Sequence, residues 1–210
     1  DMESDMDKYM FMATIQGTVK KTPVKEFNSA RRAGLIAISL DKDEELIDVK
    51  LTNGKDDIVM ATRNGIAIHF SEEDVRPMGR TAHGVRGITL RKDDYVVSMD
   101  CTEGTAEVLT VAEGGLGKRT EIGEYRKQTR GGKGIINLKI TEKTGLIVGS
   151  KVIRDDQEIL LISAAGVIIR LRANEISTFG RNAQGVILMH LDEGDKVAAI
   201  AVVNTMDEEE

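Results

Sequence analysis

The chain has 210 residues, 40% hydrophobic and 30% charged, and its single cysteine, Cys101, excludes an internal disulfide and a cysteine zinc cluster. That composition belongs to a folded, water-soluble protein, and no apolar run reaches the about 20 residues of a membrane helix, so no membrane partner is expected. The formal net charge of −6 argues against a polyanionic partner until the position of the acids is considered.

Asp1, Glu3, Asp5 and Asp7 crowd the start, and Asp207, Glu208, Glu209 and Glu210 crowd the end. Without those eight, 27 acids face 29 Lys and Arg, so residues 8 to 206 carry +2. Residues 1–7 are expected to be an acidic linker or added end, and 207–210 the start of an acidic tail that solubilises or competes for a cationic surface. With no initiator methionine and no secretory leader, the chain reads as a piece of a longer, cytoplasmic protein.

Between the acidic ends one unit recurs four times. "MFMATIQGTVKKT" starts at Met10, "IVMATRNGIAIHF" at Ile58, "VLTVAEGGLGKRT" at Val108 and "ILLISAAGVIIRL" at Ile159. Their turn glycines, Gly17, Gly65, Gly115 and Gly166, step by 48, 50 and 51 residues. A second glycine (Gly34, Gly84, Gly134 and Gly185) precedes another apolar run, at steps of 50, 50 and 51. Two markers keeping one period define a single repeat domain over 8–206, with units at approximately 8–54, 55–104, 105–156 and 157–206.

Each unit reads as four strands. In the second, residues 57–63 and 66–70 flank Asn64-Gly65, a dipeptide favoured in type I′ hairpins, where both central residues need positive φ. A long loop follows, then a strand over 84–90, an acidic turn (Lys92, Asp93, Asp94) and a last strand from Tyr95. The loop repeats an acid and an apolar residue: Glu26-Phe27, Asp74-Val75, Glu124-Tyr125 and Glu175-Ile176. The apolar member should anchor the loop to its sheet and the acid cap its N–H groups. The fold class expected is all-β, a propeller-like array of four-stranded blades forming an open arc or part of a larger ring.

The cations recur with the units. Arg80, Arg130 and Arg181 stand four residues before the second glycine, with Arg31 and Arg32 near that place in the first unit. The long loops add Arg76, Arg86, Arg126, Lys127 and Lys133, and the hairpins add Lys20, Lys21, Lys118, Arg119, Arg170 and Arg172. Rotation of the units would bring these residues to one rim. Arginine matches phosphate oxygens with its planar fork, and Gly131, Gly132 and Gly134 would admit backbone N–H groups to an anion. Aromatics are only 3% of the chain and tryptophan is absent, so base stacking has little support and backbone-held, bent duplex DNA is the expected ligand. Two alternatives remain on these residues: repeated arginines bridging the acids of a neighbouring unit, and a propeller that docks acidic proteins.

As a set, "GRTAHGVRGITL" (79–90), "GKRTEIGEYRKQTRGGKGI" (117–135) and "FGRNAQGV" (179–186) resemble the C-terminal domain of bacterial DNA gyrase A subunits, and less closely that of topoisomerase IV. The resemblance spans residues 8 to 203 and implies a β-pinwheel whose blades exchange strands and whose basic rim wraps duplex DNA. It also implies a longer parent enzyme that introduces negative supercoils using ATP and magnesium, with an N-terminal breakage–reunion part and a gyrase B partner. In this piece it implies no catalytic residue, cofactor or metal, a monomeric state, and a bacterial cytoplasm near the nucleoid. The family's box is Q-R-R-G-G-[KR]-G, in the first of commonly six blades. Gln128, Arg130, Gly131, Gly132, Lys133 and Gly134 match it, but Thr129 replaces an arginine and the match falls in the third unit, which points to a box-like loop of a later blade.

Other motifs dissolve on inspection. "RGGKG" lacks the Ser or Thr that follows the lysine of a nucleotide-binding loop. Asp41, Asp43 and Glu45 alternate like calcium ligands without the rest of that loop, and His69, His83 and His190 lack metal-ligand spacing. Tyr9, Tyr95 and Tyr125 read as packing residues.

Overall fold

The structure, a computed structural model, describes residues 5–28, 34–102 and 104–204. The first unit contributes β1 (Tyr9–Thr14), β2 (Thr18–Pro23) and β3 (Leu46–Thr52). The second contributes β4 (Asp57–Thr62), β5 (Ile66–Ser71), β6 (Val85–Arg86) and β7 (Val96–Thr102), and the third β8 (Glu107–Ala112), β9 (Leu116–Glu121), β10 (Ile135–Ile136) and β11 (Ile147–Ile153). The fourth contributes β12 (Gln157–Ser163), β13 (Ile168–Arg172), β14 (Val186–Ile187) and β15 (Val197–Asn204). The antiparallel sheets run β3-β1-β2-β6, β7-β4-β5-β10, β11-β8-β9-β14 and β15-β12-β13. The all-β, propeller-like class expected from the repeats is the one observed.

Each of the first three sheets takes its outermost strand from the following unit. The run at 84–90, expected as a full strand, pairs over only two residues, Val85 with Val19 and Arg86 with Thr18. It then curls: the N–H groups of Gly87 and Ile88 both donate to the carbonyl of Gly17. The same fork joins Asn137 and Leu138 to Gly65, and Leu188 and Met189 to Gly115. The hairpin turn creates that acceptor. Gly65 has φ +86° and its N–H bonds Thr62, whereas Asn64 is not among the residues with positive φ. The turn is therefore a type I turn closed by a left-handed glycine, in place of the type I′ form expected from Asn-Gly. Acids from the turn before the last strand cap the hairpins of three units, Glu44 accepting from the Gln16 N–H, Asp94 from Asn64 and Asp195 from Ala165, whereas in the third unit the Thr144 carbonyl accepts from the Gly114 N–H.

Apolar contacts join neighbouring sheets as well as strands within one. Phe11, Ala13 and Val19 pack with Ile58, Met60, Ile68, Phe70, Ile88 and Met99, and Leu109 and Val111 with Ile159, Leu161, Ala173 and Met189. A smaller cluster of Val59, Ala67, Val108, Ile122 and Tyr125 bridges the second and third units. Central strands thus lose the usual alternation: Ile58 to Thr62 are buried without a break, because both sheet faces are covered. β12 and β13, at one end of the array, alternate. The loop anchors Val75, Tyr125 and Ile176 are buried, as their spacing predicted, and Phe27 is half-buried.

Candidate nucleic-acid interface

The long loops of the second, third and fourth units each open on a single 3-10 turn and then cross to the unit before. Arg80 Nη1 donates to the Ile36 carbonyl at 2.9 Å, Arg130 Nη1 to Arg86 at 3.0 Å and Arg181 Nη1 to Ile136 at 2.7 Å. Every acceptor is the second residue after the second glycine of the preceding unit. The repeated arginines, expected as phosphate ligands, therefore each use part of the guanidinium to staple these segments. They bridge to a backbone carbonyl, where the alternative reading had placed an acid.

The glycine run is likewise committed to packing. The Gly131 N–H donates to Gly87 at 2.6 Å, while the Gly131 and Gly132 carbonyls accept from the Thr89 hydroxyl at 2.7 Å and the Thr89 N–H at 2.8 Å. Gly134 has φ +68°, and a Cβ there would come within 2.5 Å of the Ala67 carbonyl. These glycines admit a neighbouring strand, in place of the anion expected.

The hairpin cations, expected on the same rim, are also held by contacts within the fold. Lys20, Lys21 and Lys118 are buried. Lys20 Nζ bonds the carbonyls of Ala37 and Arg80, and Lys118 Nζ those of Gly180 and Arg181 at 2.7 and 2.6 Å, so each ammonium pins an arginine-bearing loop from below. Burial, followed by the adjacent guanidinium, pushes both lysines down to about 8. Lys21 pairs with Glu72, a buried carboxylate that also accepts from Thr52 and from the N–H groups of Gly54 and Asp56. Arg119 lies 2.7 Å from Glu107 and 2.5 Å from Asp155, and Arg170 Nε donates to Glu158 at 2.6 Å. Lys127 is exposed yet bonds Asp57 at 2.6 Å. Burial alone would raise the Asp57 carboxyl, but Lys127 and His69 outweigh it and hold it below the usual value. Arg31 and Arg32 lie outside the described residues.

What remains is a smaller cationic set. Arg76, Arg86, Arg126, Lys133 and Arg172 are exposed and pair with no carboxylate among the described residues. Several gather at one junction. Arg130 holds the carbonyls of both Asp74 and Arg86, which draws the chain next to Arg76, Arg86 and Lys133 together between the second and third units. Sequence reasoning missed Arg91 and Lys139, which are exposed and line, with Asn64 and Asn182, a groove of about 420 Å³ beside that junction. Their signal was there: they stand seven and five residues after the second glycine of successive units, beyond the loops searched for cations. A line of guanidinium and ammonium groups without counter-charges can hold successive phosphates of a nucleic acid.

Comparison with known proteins gives this surface a lineage. The family model described as the DNA gyrase C-terminal domain, beta-propeller, matches residues 8–53, 56–103, 106–154 and 157–204, once for every repeat. The chain belongs to the DNA gyrase C-terminal domain family. It is 45% identical over 202 residues to the DNA gyrase A subunit of Klebsiella oxytoca, covering 96% of this chain and 23% of that protein. It is 46% identical over 210 residues to the Staphylococcus epidermidis protein of the same name, covering 99% and 23%. The chain thus spans about a quarter of the length of the gyrase A proteins it matches. Among solved structures, the C-terminal domain of DNA topoisomerase IV aligns with TM-score 0.90 at 28% identity, over 97% of this chain and 64% of that one. The DNA gyrase A C-terminal domain aligns with TM-score 0.85 at 26% identity, over 94% and 66%. Both of those chains are longer than this one.

Proposed function

We propose that this chain binds and bends duplex DNA by its phosphate backbone, without reading base sequence, as the C-terminal part of a gyrase-type A subunit. The observation that carries the reading is the unpaired set Arg76, Arg86, Arg126, Lys133 and Arg172 on a fold of the DNA gyrase C-terminal domain family. Arg91 and Lys139 extend that set, and the stapled Arg130 lies among its members. Their role is electrostatic and positional: each cation neutralises a phosphate and releases counterions, while the curvature of the array sets the bend. In the whole enzyme, wrapping would present a neighbouring segment of the same DNA to the cleavage gate and so support ATP-dependent negative supercoiling. The breakage–reunion chemistry, ATP and magnesium belong in this reading to the gyrase B partner and to the N-terminal part of the longer parent chain, in the bacterial cytoplasm. The likeness to the topoisomerase IV domain leaves a guiding role in substrate choice as the second reading, and the 45% identity to gyrase A favours the first.

The test is binding to random-sequence duplex followed by fluorescence anisotropy across salt. The logarithm of affinity should fall linearly with the logarithm of salt, with a slope of about −0.9 per phosphate contact. Replacing Arg76, Arg126 and Arg172 by alanine together should flatten it by about 2 to 3. A complex indifferent to salt would overturn the reading. Ligation of relaxed circles with added protein then separates bending, which shifts the linking number, from attachment, which does not.

A further inference from the structure

One position of the repeat is a basic residue in every unit, and in one unit it is a histidine. The fourth residue after the turn glycine is Lys21, His69, Arg119 and Arg170. In the second, third and fourth units it meets the acid that stands eight residues before that glycine. Asp57 lies 3.1 Å from His69 Nε2, Glu107 2.7 Å from Arg119 Nη1 and Glu158 2.6 Å from Arg170 Nε. The same side chain reaches the loop of the following unit. Arg119 Nε donates to the Ile176 carbonyl at 2.7 Å, and His69 Nδ1 lies 2.7 Å from the carbonyl of Tyr125, the matching loop anchor one unit earlier. The backbone repeats as well, with the Gln128 N–H donating to the His69 carbonyl and the Phe179 N–H to that of Arg119.

His69 therefore does with two ring nitrogens what Arg119 does with a guanidinium. A carbonyl and a carboxylate only accept, so both bonds need an N–H, and an imidazole carries both only when protonated. The neutral ring keeps one bond and turns a lone pair onto the other oxygen. His69 is 7% exposed, so water does not make good the loss. The surrounding elements offer no second donor in its place. β5 carries no other ionisable group, the guest strand that the third unit lends it is Ile135–Ile136, and β4 carries only Asp57. The loop brings Glu124, Arg126 and Lys127, and Lys127 takes the other oxygen of Asp57 at 2.6 Å. The Tyr125 hydroxyl is turned away to Asn137.

We propose that His69, as imidazolium, is the positioning residue that fastens the cationic loop of the third unit to β5, so that this junction loosens as pH rises through the histidine range. The folded chain bonds the protonated ring and the unfolded chain does not, so the stabilisation is full in acid and is lost as pH rises. Arg119, at the next junction, keeps its charge throughout. The loop carries Arg126, Lys127, Arg130 and Lys133. The consequence for DNA rests on the binding proposed above: cations no longer held in register grip the phosphates less well.

The test compares the parent chain with His69→Arg, which copies the third unit, and with His69→Lys, which copies the first. Lys20, Lys118, His83 and His190 are common to all three chains and cancel in the differences. The urea midpoint of the parent minus that of either variant should fall by about 0.5 M between about pH 5.5 and 8.5. Affinity for random-sequence duplex at fixed salt should follow, the parent losing about three- to tenfold relative to the variants over that span. A midpoint difference that stays level with pH overturns the proposal. A sloping midpoint difference beside a level, salt-dependent DNA affinity overturns it too, because the loop would then be fastened without being positioned for DNA. DNA binding indifferent to salt removes the DNA reading alone, and the midpoint difference still decides the fastening.

Discussion

Gly115→Ala and Gly166→Ala place the same methyl group in the same turn, at φ +81° and +86°, with and without a guest strand beside it. Both alanines meet the left-handed backbone penalty of about 1 kcal/mol. At Gly166 nothing else stands within 4 Å, so that is the whole effect. At Gly115 the new Cβ would lie 2.2 Å from the Met189 carbonyl oxygen, so the guest must withdraw. Withdrawal strains the bonds from the Leu188 and Met189 N–H groups to the Gly115 carbonyl, about 0.5 kcal/mol each, and adds about 1 to 3 kcal/mol of overpacking. Gly115→Ala should therefore cost about 2 to 4 kcal/mol more than Gly166→Ala. Urea unfolding followed by circular dichroism reads this as a midpoint lower by about 1 to 2 M at a slope near 2 kcal/mol/M. Equal midpoints would refute the reasoning, because they would mean that the two turns share one environment.

Arg130 and Arg126 should separate stability from binding: Arg130→Ala removes two charge-assisted bonds to carbonyls and lowers stability by about 2 kcal/mol, whereas Arg126→Ala leaves it within about 0.5 kcal/mol and flattens the DNA salt slope by about 0.9. Burial first, then Asp100 and Asp56, raises the Cys101 thiol to about 12, so iodoacetamide at pH 8.5 should label the folded chain far more slowly than the urea-unfolded one. The same shift makes the fold lose stability as pH climbs from about 9 towards 12, where only the unfolded chain gives up that proton. Lys118 has the opposite sign: its folded value of about 8 lies below the ordinary value of 10.5, so its buried charge opposes folding below about 8. The stability of the parent relative to Lys118→Met should therefore rise between pH 8 and 10.5, as measured by urea titrations across that range.

The repeat, the hairpins and the loop anchors could be read from the sequence because their causes are local. Gly17, Gly65, Gly115 and Gly166 mark a left-handed residue, and Val75, Tyr125 and Ile176 mark an apolar plug. Ownership of strands could not be read, since residues 84–90 keep the same period whether they pair within their unit or with the unit before. The cations failed for a related reason. Lys20 and Arg126 look alike as charges, but Lys20 is closed over by carbonyls of Ala37 and Arg80, far along the chain. One clue was present: Lys20, Ile68, Lys118 and Ile169 share a place three residues after the turn glycine, and isoleucine in alternate copies betrays an inward position. Arg80, Arg130 and Arg181 gave no such clue, because their acceptors are backbone oxygens that no side-chain pattern records.

Strand exchange gives the chain an unusual tolerance of breakage. A protease cutting the loop at 76–84 would leave β4 and β5 on one fragment and β6 and β7 on the other. Yet β6 is built into the sheet of β2, and β7 into that of β4, so the two fragments stay interlaced through two sheets at once. A nicked molecule should run as two bands in denaturing gels and as one body in native ones.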